Sequence, residues 1–100
     1  MSQGAILVAD DEDLIRRVLT DALGELGYTV EAVDTGTRAW ACLQEQSFDL
    51  AFIDIRMPEL CGLDLLARAQ THDVATPILN LARIHLAAYE AARARETAPM

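Results

Sequence analysis

Aspartates follow two apolar segments of this chain, each at the point where the segment ends. Asp10 and Asp11 come directly after AILVA at residues 5–9, and Asp54 comes directly after LAFI at residues 50–53. Short continuous apolar runs are typical of strands buried on both faces of a parallel sheet. In a doubly wound sheet of order 2-1-3, the first and third strands are neighbours, and ligands bind outside their carboxyl ends. The sequence therefore predicts that three carboxylates converge at one edge of a sheet.

Three carboxylates in one crevice point to a divalent cation. Close negative charges repel one another, and a hard cation with oxygen ligands relieves that repulsion, so Mg²⁺ is the expected ion. A carboxylate beside Mg²⁺ can attack phosphorus, because the cation neutralises the phosphoryl oxygens and aligns the attacking and leaving groups. The product would be an aspartyl phosphate. A purely structural alternative stays open: Asp10, Asp11 or Asp13 could cap the following helix, and Asp54 could be a turn residue.

The first predicted strand is followed by the clearest helix of the sequence. Apolar residues recur at helical spacing over residues 14–26, and Gly27 ends the pattern. These residues are predicted to share one helix face: Ile15, Val18, Leu19, Ala22, Leu23 and Leu26.

Two further strand and helix pairs follow. YTVEAV at residues 28–33 predicts a strand, and residues 37–46 predict a helix that buries Trp40 and Leu43. The LAFI strand is followed by a loop and by a third helix over residues 63–70. This alternation predicts a single α/β domain with a doubly wound parallel sheet and right-handed crossovers.

Residues 76–97 allow two interpretations. In the first, residues 78–82 form a fourth strand and residues 86–95 a fourth helix. In the second, Thr76 is the N-cap and Pro77 the first residue of one helix of about twenty residues, rich in alanine. The spacing of the earlier units favours the strand, and Asn80 in its middle favours the helix.

Composition limits the chemistry of the chain. The 100 residues carry a net charge of −8, and all 8 basic residues are arginines, so no lysine is present for Schiff-base chemistry or for binding a phosphate. An acidic surface repels nucleic acid and anionic membranes, so neither is an expected partner. No apolar run is long enough to span a bilayer, and two cysteines are too few for a disulfide scaffold. We expect a cytoplasmic protein with reduced thiols.

Three motifs resemble the receiver domains of two-component response regulators, the CheY-like family. They are ILVADDE at residues 6–12, GYTVEAVDTG at residues 27–36 and FDLAFIDIRMPELCGLDLL at residues 48–66. The resemblance implies a flavodoxin-like sheet of order 2-1-3-4. It further implies that Asp54 is the phosphoacceptor and a Mg²⁺ ligand, that Asp11 is a direct ligand, and that Asp10 binds through water. The backbone carbonyl of Arg56 would be a further ligand, and Pro58 and Gly62 would shape the loop beneath the site.

The sequence departs from the receiver pattern near its C-terminal end. Receivers carry a Thr or Ser at the end of strand four, where this chain has Ala82, and a Lys at the end of strand five, which this chain lacks. No room remains after residue 82 for a fifth unit, so we expect a receiver core over residues 1–82 and an atypical helical segment over residues 83–100. A sheet edge left bare in this way recruits partners, which predicts a homodimer or domain-swapped assembly through the C-terminal segment.

Two functions fit these features. The first is a receiver, not an enzyme in its own right, that takes a phosphoryl group on Asp54 from a sensor histidine kinase or phosphotransfer protein and signals by protein contact. The alternative is a pseudo-receiver that acts as an interaction or dimerisation module without phosphorylation. A fragment whose altered tail changed the fold is a third possibility. An aspartyl-phosphate phosphatase would need a second Asp two residues after its nucleophile, where Arg56 stands.

Overall fold

The computed structural model describes residues 3–54, 56, 57, 59–72, 74 and 76–80. These residues form one parallel sheet of order β2-β1-β3-β4, with a helix in each of the first three connections. The strands are β1 (Ala5–Ala9), β2 (Thr29–Val33), β3 (Leu50–Ile53) and β4 (Ile78–Asn80), and the helices are α1 (Asp13–Glu25), α2 (Gly36–Glu45) and α3 (Gly62–Thr71). The predicted doubly wound α/β fold and its strand order are confirmed, and the three helices and first three strands each lie within one residue of their expected bounds.

Glycine ends α1 as the sequence predicts. Gly27 has φ 96°, a left-handed backbone that a residue with a Cβ rarely adopts. Its N–H donates to the carbonyl of Gly24 (3.0 Å), and the next N–H, of Tyr28, donates to the carbonyl of Leu23 (3.1 Å). This is a Schellman motif, which turns the chain from α1 directly into β2.

The apolar face of α1 is covered less than predicted. Only Ile15 is buried, and Leu19 and Leu23 are half-buried. Val18, Ala22 and Leu26, which the sequence places on the same helix face, are exposed. The apolar residues span a wider arc of the helix than its contact with β1 and β2 can cover.

The helices α2 and α3 cover the opposite face of the sheet. Thr35 caps α2, because its hydroxyl accepts a hydrogen bond from the N–H of Arg38 (3.1 Å). Buried side chains from both helices join the strands in one core cluster: Leu7, Ala9, Val33, Ala39, Leu43, Phe48, Ala51, Ile53, Met57, Leu60 and Leu65. Leu43 is buried as predicted, whereas Trp40 is half-buried at the edge of the cluster. The Trp40 ring meets the ring of His72 edge to face, with centroids 5.2 Å apart.

For residues 78–80, the structure decides between the two interpretations of the C-terminal region, a fourth strand and a single long helix. Ile78 pairs with Ala51 and Asn80 with Ile53 in a parallel ladder. A helix from Thr76 is therefore wrong for these residues, and Asn80 is accommodated in a strand. The described residues end at Asn80. Ala82 and the predicted helical segment over residues 83–100 lie outside them, and so does the segment through which a dimer was predicted. Within the described part of the chain, no helix has the length and apolar character needed to cross a membrane.

Candidate metal centre

The two central strands deliver their aspartates to the same edge of the sheet. Ala9 pairs with Ile53 at the carboxyl ends of β1 and β3. The ladder continues for one residue beyond this pair, since the N–H of Asp54 donates to the carbonyl of Ala9 (2.9 Å). On the other side, the N–H of Asp10 donates to the carbonyl of Val33 (3.1 Å). Backbone hydrogen bonds therefore fix the positions of both aspartates.

The three predicted acids meet in one cluster. One carboxylate oxygen from each of Asp10, Asp11 and Asp54 lies within 4.8 Å of the others. Asp10 is fully buried (0% exposed), Asp54 is nearly so (7%), and Asp11 is exposed. The predicted convergence is present, with one acid facing solvent and two held inside.

Local hydrogen bonds orient two of these carboxylates. Asp10 Oδ1 accepts from the N–H of Glu12 (2.8 Å), and Asp54 Oδ1 accepts from the N–H of Arg56 (3.2 Å). Glu12 occupies the N-cap of α1, where no side-chain cap is formed. Asp54 therefore acts as a turn residue, as the structural alternative expected, whereas Asp10 forms a turn with Glu12 and is not the N-cap of α1. These same turns hold both carboxylates in the cluster.

Arg16 fastens the loop that carries Asp10 and Asp11. Its guanidinium donates from Nη1 to the backbone carbonyl of Asp10 (2.8 Å) and from Nη2 to Asp13 Oδ1 (3.0 Å). The side chain is 21% exposed, so solvent screens this pair only in part. The sequence did not single out Arg16, because nothing in its spacing distinguishes it from Arg17, which points to solvent.

The first residue of α2 packs against the loop that follows Asp54. Gly36, the first residue of α2, lies so close to the backbone carbonyl of Leu60 that a Cβ at this position would collide with it. Glu59 has φ 72°, an uncommon backbone for a residue other than glycine. Leu60 and Met57 are buried in the core, which anchors the loop while Arg56 stays exposed. Gly62 begins α3 as a buried residue, and Pro58 lies outside the described residues.

The arrangement suits a small hard cation. Two carboxylates at about 5 Å repel each other by roughly 3 kcal/mol at an effective dielectric constant of about 20, and less where one of them is exposed. The cluster offers oxygen ligands only, and the exposed Asp11 leaves one side open to water. Mg²⁺ prefers oxygen ligands and keeps several of its waters. Asp10, Asp11 and Asp54 therefore fit Mg²⁺, while the carbonyl of Arg56 as a further ligand stays a prediction.

The cysteines lie outside this cluster. Cys42 and Cys61 are both free. Burial, and then the nearby charges of Glu31 and Glu45, raise the pKa of the Cys42 thiol above its ordinary value. The uncharged thiol is thereby favoured, which fits a packing role for Cys42 beside the core cluster.

Comparisons with known proteins agree with one another. The family described as "Response regulator receiver domain" matches residues 6–97. The response regulator receiver protein CpdR of Brucella abortus is 44% identical over 68 residues, which are 68% of this chain and 57% of that protein. The alginate biosynthesis regulator AlgB of Pseudomonas aeruginosa is 46% identical over 66 residues, or 66% of this chain and 15% of AlgB. The chain thus spans only part of each relative.

Solved structures extend the same likeness to the fold. The response regulator TrrA of Thermotoga maritima, in complex with Mg²⁺ and BeF, superposes with a TM-score of 0.71 at 31% identity, covering 81% of this chain and 70% of TrrA. Full-length FixJ from B. japonicum gives a TM-score of 0.74 at 32% identity, covering 80% of this chain and 39% of FixJ.

Proposed function

Because this chain belongs to the response regulator receiver domain family of two-component systems, we propose that Asp54 accepts a phosphoryl group in a Mg²⁺-dependent reaction. The donor is the phosphohistidine of a sensor histidine kinase or phosphotransfer protein in the cytoplasm. The chain passes the signal on by protein contact and makes no direct contact with nucleic acid or membrane. The observation that carries this proposal is the cluster of Asp10, Asp11 and Asp54 at the carboxyl edge of the sheet.

The chemistry assigns a separate task to each acid. A carboxylate oxygen of Asp54 attacks phosphorus while the bond from phosphorus to the imidazole nitrogen of the donor breaks. The nitrogen keeps the electron pair of that bond and, once protonated, leaves as neutral histidine. Asp10, in the interior, and Asp11, at the surface, would hold Mg²⁺ together with Asp54. When bound, Mg²⁺ would neutralise charge on the phosphoryl oxygens.

The backbone around Asp54 supports attack by its side chain. Two hydrogen bonds hold Asp54 in place. Its carboxylate Oδ1 accepts from the N–H of Arg56, and its own N–H donates to the carbonyl of Ala9. A nucleophile held in place loses little freedom on the way to the transition state. The loop anchored through Leu60 keeps this geometry when the phosphoryl group arrives.

The conformational response is expected to be weak. The chain has no lysine to pair with the phosphoryl oxygens, and Ala82 stands where receivers carry a hydroxyl. Together, the free energy of the missing charge-assisted hydrogen bonds exceeds a typical allosteric coupling free energy of about 1 to 3 kcal/mol. We therefore expect Asp54 to be phosphorylated, and the conformational change that follows phosphorylation in receivers to be weakened.

Incubation with acetyl phosphate and Mg²⁺, followed by intact-protein mass spectrometry, tests this proposal. We expect the mass to rise by one phosphoryl group, and the adduct to disappear with EDTA or with Asp54→Asn. Asp21→Asn is the matched control, because Asp21 is an exposed acid on α1 outside the cluster.

The outcome that contradicts the proposal is equally plain. An adduct that persists in Asp54→Asn would place the phosphoryl group elsewhere. Absence of both an adduct and Mg²⁺ binding in the folded wild-type chain would favour a pseudo-receiver that works without phosphorylation.

A further inference from the structure

A single side chain bridges the end of β1 and the start of α1. Arg16 Nη1 donates to the backbone carbonyl of Asp10 (2.8 Å), and Arg16 Nη2 donates to Asp13 Oδ1 (3.0 Å). The backbone N–H of Arg16 donates to the carbonyl of Glu12 (3.2 Å), which ties the residue to the first turn of α1. The guanidinium therefore spans the short segment that carries Asp11.

The two acids beside this bridge are held to different degrees. Asp10 is fully buried, its N–H donates to the carbonyl of Val33 (3.1 Å), and its Oδ1 accepts from the N–H of Glu12 (2.8 Å). Asp11 is exposed, and in the described part of the chain no hydrogen bond or ion pair holds its own carboxylate. The direction of the Asp11 side chain therefore depends on the backbone that carries it.

Arg16 binds that backbone at the peptide unit next to Asp11. The carbonyl of Asp10 belongs to the peptide unit that joins Asp10 to Asp11, and a peptide unit is planar. A hydrogen bond to this oxygen therefore fixes the plane from which the Cα–Cβ bond of Asp11 departs. The Arg16 side chain is 21% exposed, and its planar fork donates to both acceptors in one orientation. Without this bond the plane is free to rotate, and the Asp11 carboxylate turns to water in part of the population.

We propose that Arg16 is a positioning residue for Mg²⁺. By holding the peptide unit between Asp10 and Asp11, it keeps the exposed Asp11 carboxylate in the cluster, where one oxygen from each acid lies within 4.8 Å of the others. A guanidinium has no acceptor atom, so Arg16 is not itself a ligand. The inference rests on the proposed Mg²⁺ site and adds a residue that acts on the ion only through Asp11.

The charge of Arg16 acts in the opposite direction from its geometry. A guanidinium near the cluster repels a cation, so electrostatics alone predicts that Mg²⁺ binds more tightly when this charge is removed. Positioning predicts that Mg²⁺ binds more weakly, because the Asp11 carboxylate loses its orientation. The sign of the change in Mg²⁺ affinity therefore separates the two roles.

Titration of the full chain with Mg²⁺ at constant ionic strength, followed by amide NMR spectra, tests the proposal. We expect Arg16→Gln to bind Mg²⁺ about tenfold more weakly than the wild type. Arg17→Gln is the matched control, because it removes the same charge from the neighbouring, exposed residue of α1. Its affinity is expected to be unchanged or slightly higher, since salt screens an exposed charge. Arg16→Lys keeps the charge but offers one nitrogen for two acceptors, so we expect an affinity between those of Arg16→Gln and the wild type.

Two further readouts distinguish positioning from a general loss of structure. In metal-free spectra, Arg16→Gln should shift the amide signals of Asp11 and Glu12, while those of Leu43 and Phe48 in the core cluster stay in place. Asp11→Asn alone should weaken Mg²⁺ binding, and adding Arg16→Gln to it should cause no further loss, because Arg16 acts through Asp11. Circular dichroism verifies that each variant is folded. If Arg16→Gln is unfolded, the comparison of Arg16→Lys with the wild type decides.

Several outcomes would overturn the proposal. Equal or tighter Mg²⁺ binding by folded Arg16→Gln would leave only the effect of charge, and wild-type affinity in Arg16→Lys would show that the fork is not needed. Losses from Asp11→Asn and Arg16→Gln that multiply in the double variant would show that Arg16 acts independently of Asp11. Each of these results leaves the proposed metal centre intact. A wild type that binds no Mg²⁺ would instead refute the metal centre, and this inference with it.

Discussion

Among the described residues, the two faces of the sheet are covered to very different degrees. On the face packed by α2 and α3, buried side chains from these two helices and from β1, β2 and β3 merge into one core cluster that includes Leu7, Ile53 and Leu65. On the α1 face, the buried apolar residues in the described part of the chain are Ile15 and the strand residues Ile6 and Val8. Phe52 is half-buried, and Leu79 on β4 is 50% exposed.

This difference identifies the face that positions the site. The packed face anchors Met57 and Leu60 and so fixes the loop after Asp54, whereas on the α1 face Val18 and Leu26 are exposed among the described residues. The acid cluster lies at the sheet edge between the two faces. We infer that the packed face supplies the rigidity that the cluster needs.

The largest effect is expected from removing a core leucine on the packed face. Leu65→Ala should lower the free energy of unfolding by about 3 kcal/mol, because the side chain is fully buried and leaves a cavity. Leu63→Ala on the same helix should change it by about 0.5 kcal/mol at most, since Leu63 is exposed. Urea titration measures both. Equal losses in the two variants would contradict the described packing of α3.

A pair of glycines gives the next largest contrast. Gly36→Ala should destabilise the chain by about 2 kcal/mol, because its Cβ meets the carbonyl of Leu60 on the packed face. Gly24→Ala should stabilise it by about 0.5 to 1 kcal/mol, because Gly24 is an exposed helical residue with open space around it. Thermal unfolding followed by circular dichroism reports both changes. A harmless Gly36→Ala would show that α2 does not hold the loop.

The smallest change in the free energy of unfolding is expected in the acid cluster, at the sheet edge between the two faces. Without a divalent cation, Asp11→Asn should raise the free energy of unfolding by about 0.5 kcal/mol, because it relieves repulsion from Asp10 and Asp54 at an exposed position. In about 10 mM Mg²⁺ the order should reverse, since binding to the native state stabilises the wild type more. Unfolding curves in EDTA and in Mg²⁺ provide the comparison. Identical curves for both proteins under both conditions would argue against a shared cation.

Strand ends were the most predictable part of this molecule. AILVA and LAFI are continuous apolar runs, so both the strands and the aspartates after them follow from local sequence, and the parallel pairing brings those aspartates together. The end of α1 was predictable because Gly27 adopts a left-handed backbone conformation that favours glycine.

Features that depend on tertiary packing were not predictable. The periodicity of α1 gave the apolar positions correctly, but it could not show that the sheet covers Ile15 and leaves Val18 exposed. Arg16 binds the carbonyl of Asp10 through a contact that no spacing rule identifies. The approach of Gly36 to Leu60 likewise joins two distant parts of the sequence.

The account depends most directly on one divalent cation bound by Asp10, Asp11 and Asp54. Mn²⁺ accepts the same oxygen ligands as Mg²⁺ and broadens NMR signals near it, so amide spectra recorded during Mn²⁺ titration locate the ion. We predict selective broadening at residues 9–12, 54 and 56, absent in Asp54→Asn, while Leu43 and Phe48 at the other end of the sheet stay sharp. Broadening centred on Asp21 and Glu25, or spread evenly over the acidic surface, would contradict the proposed centre.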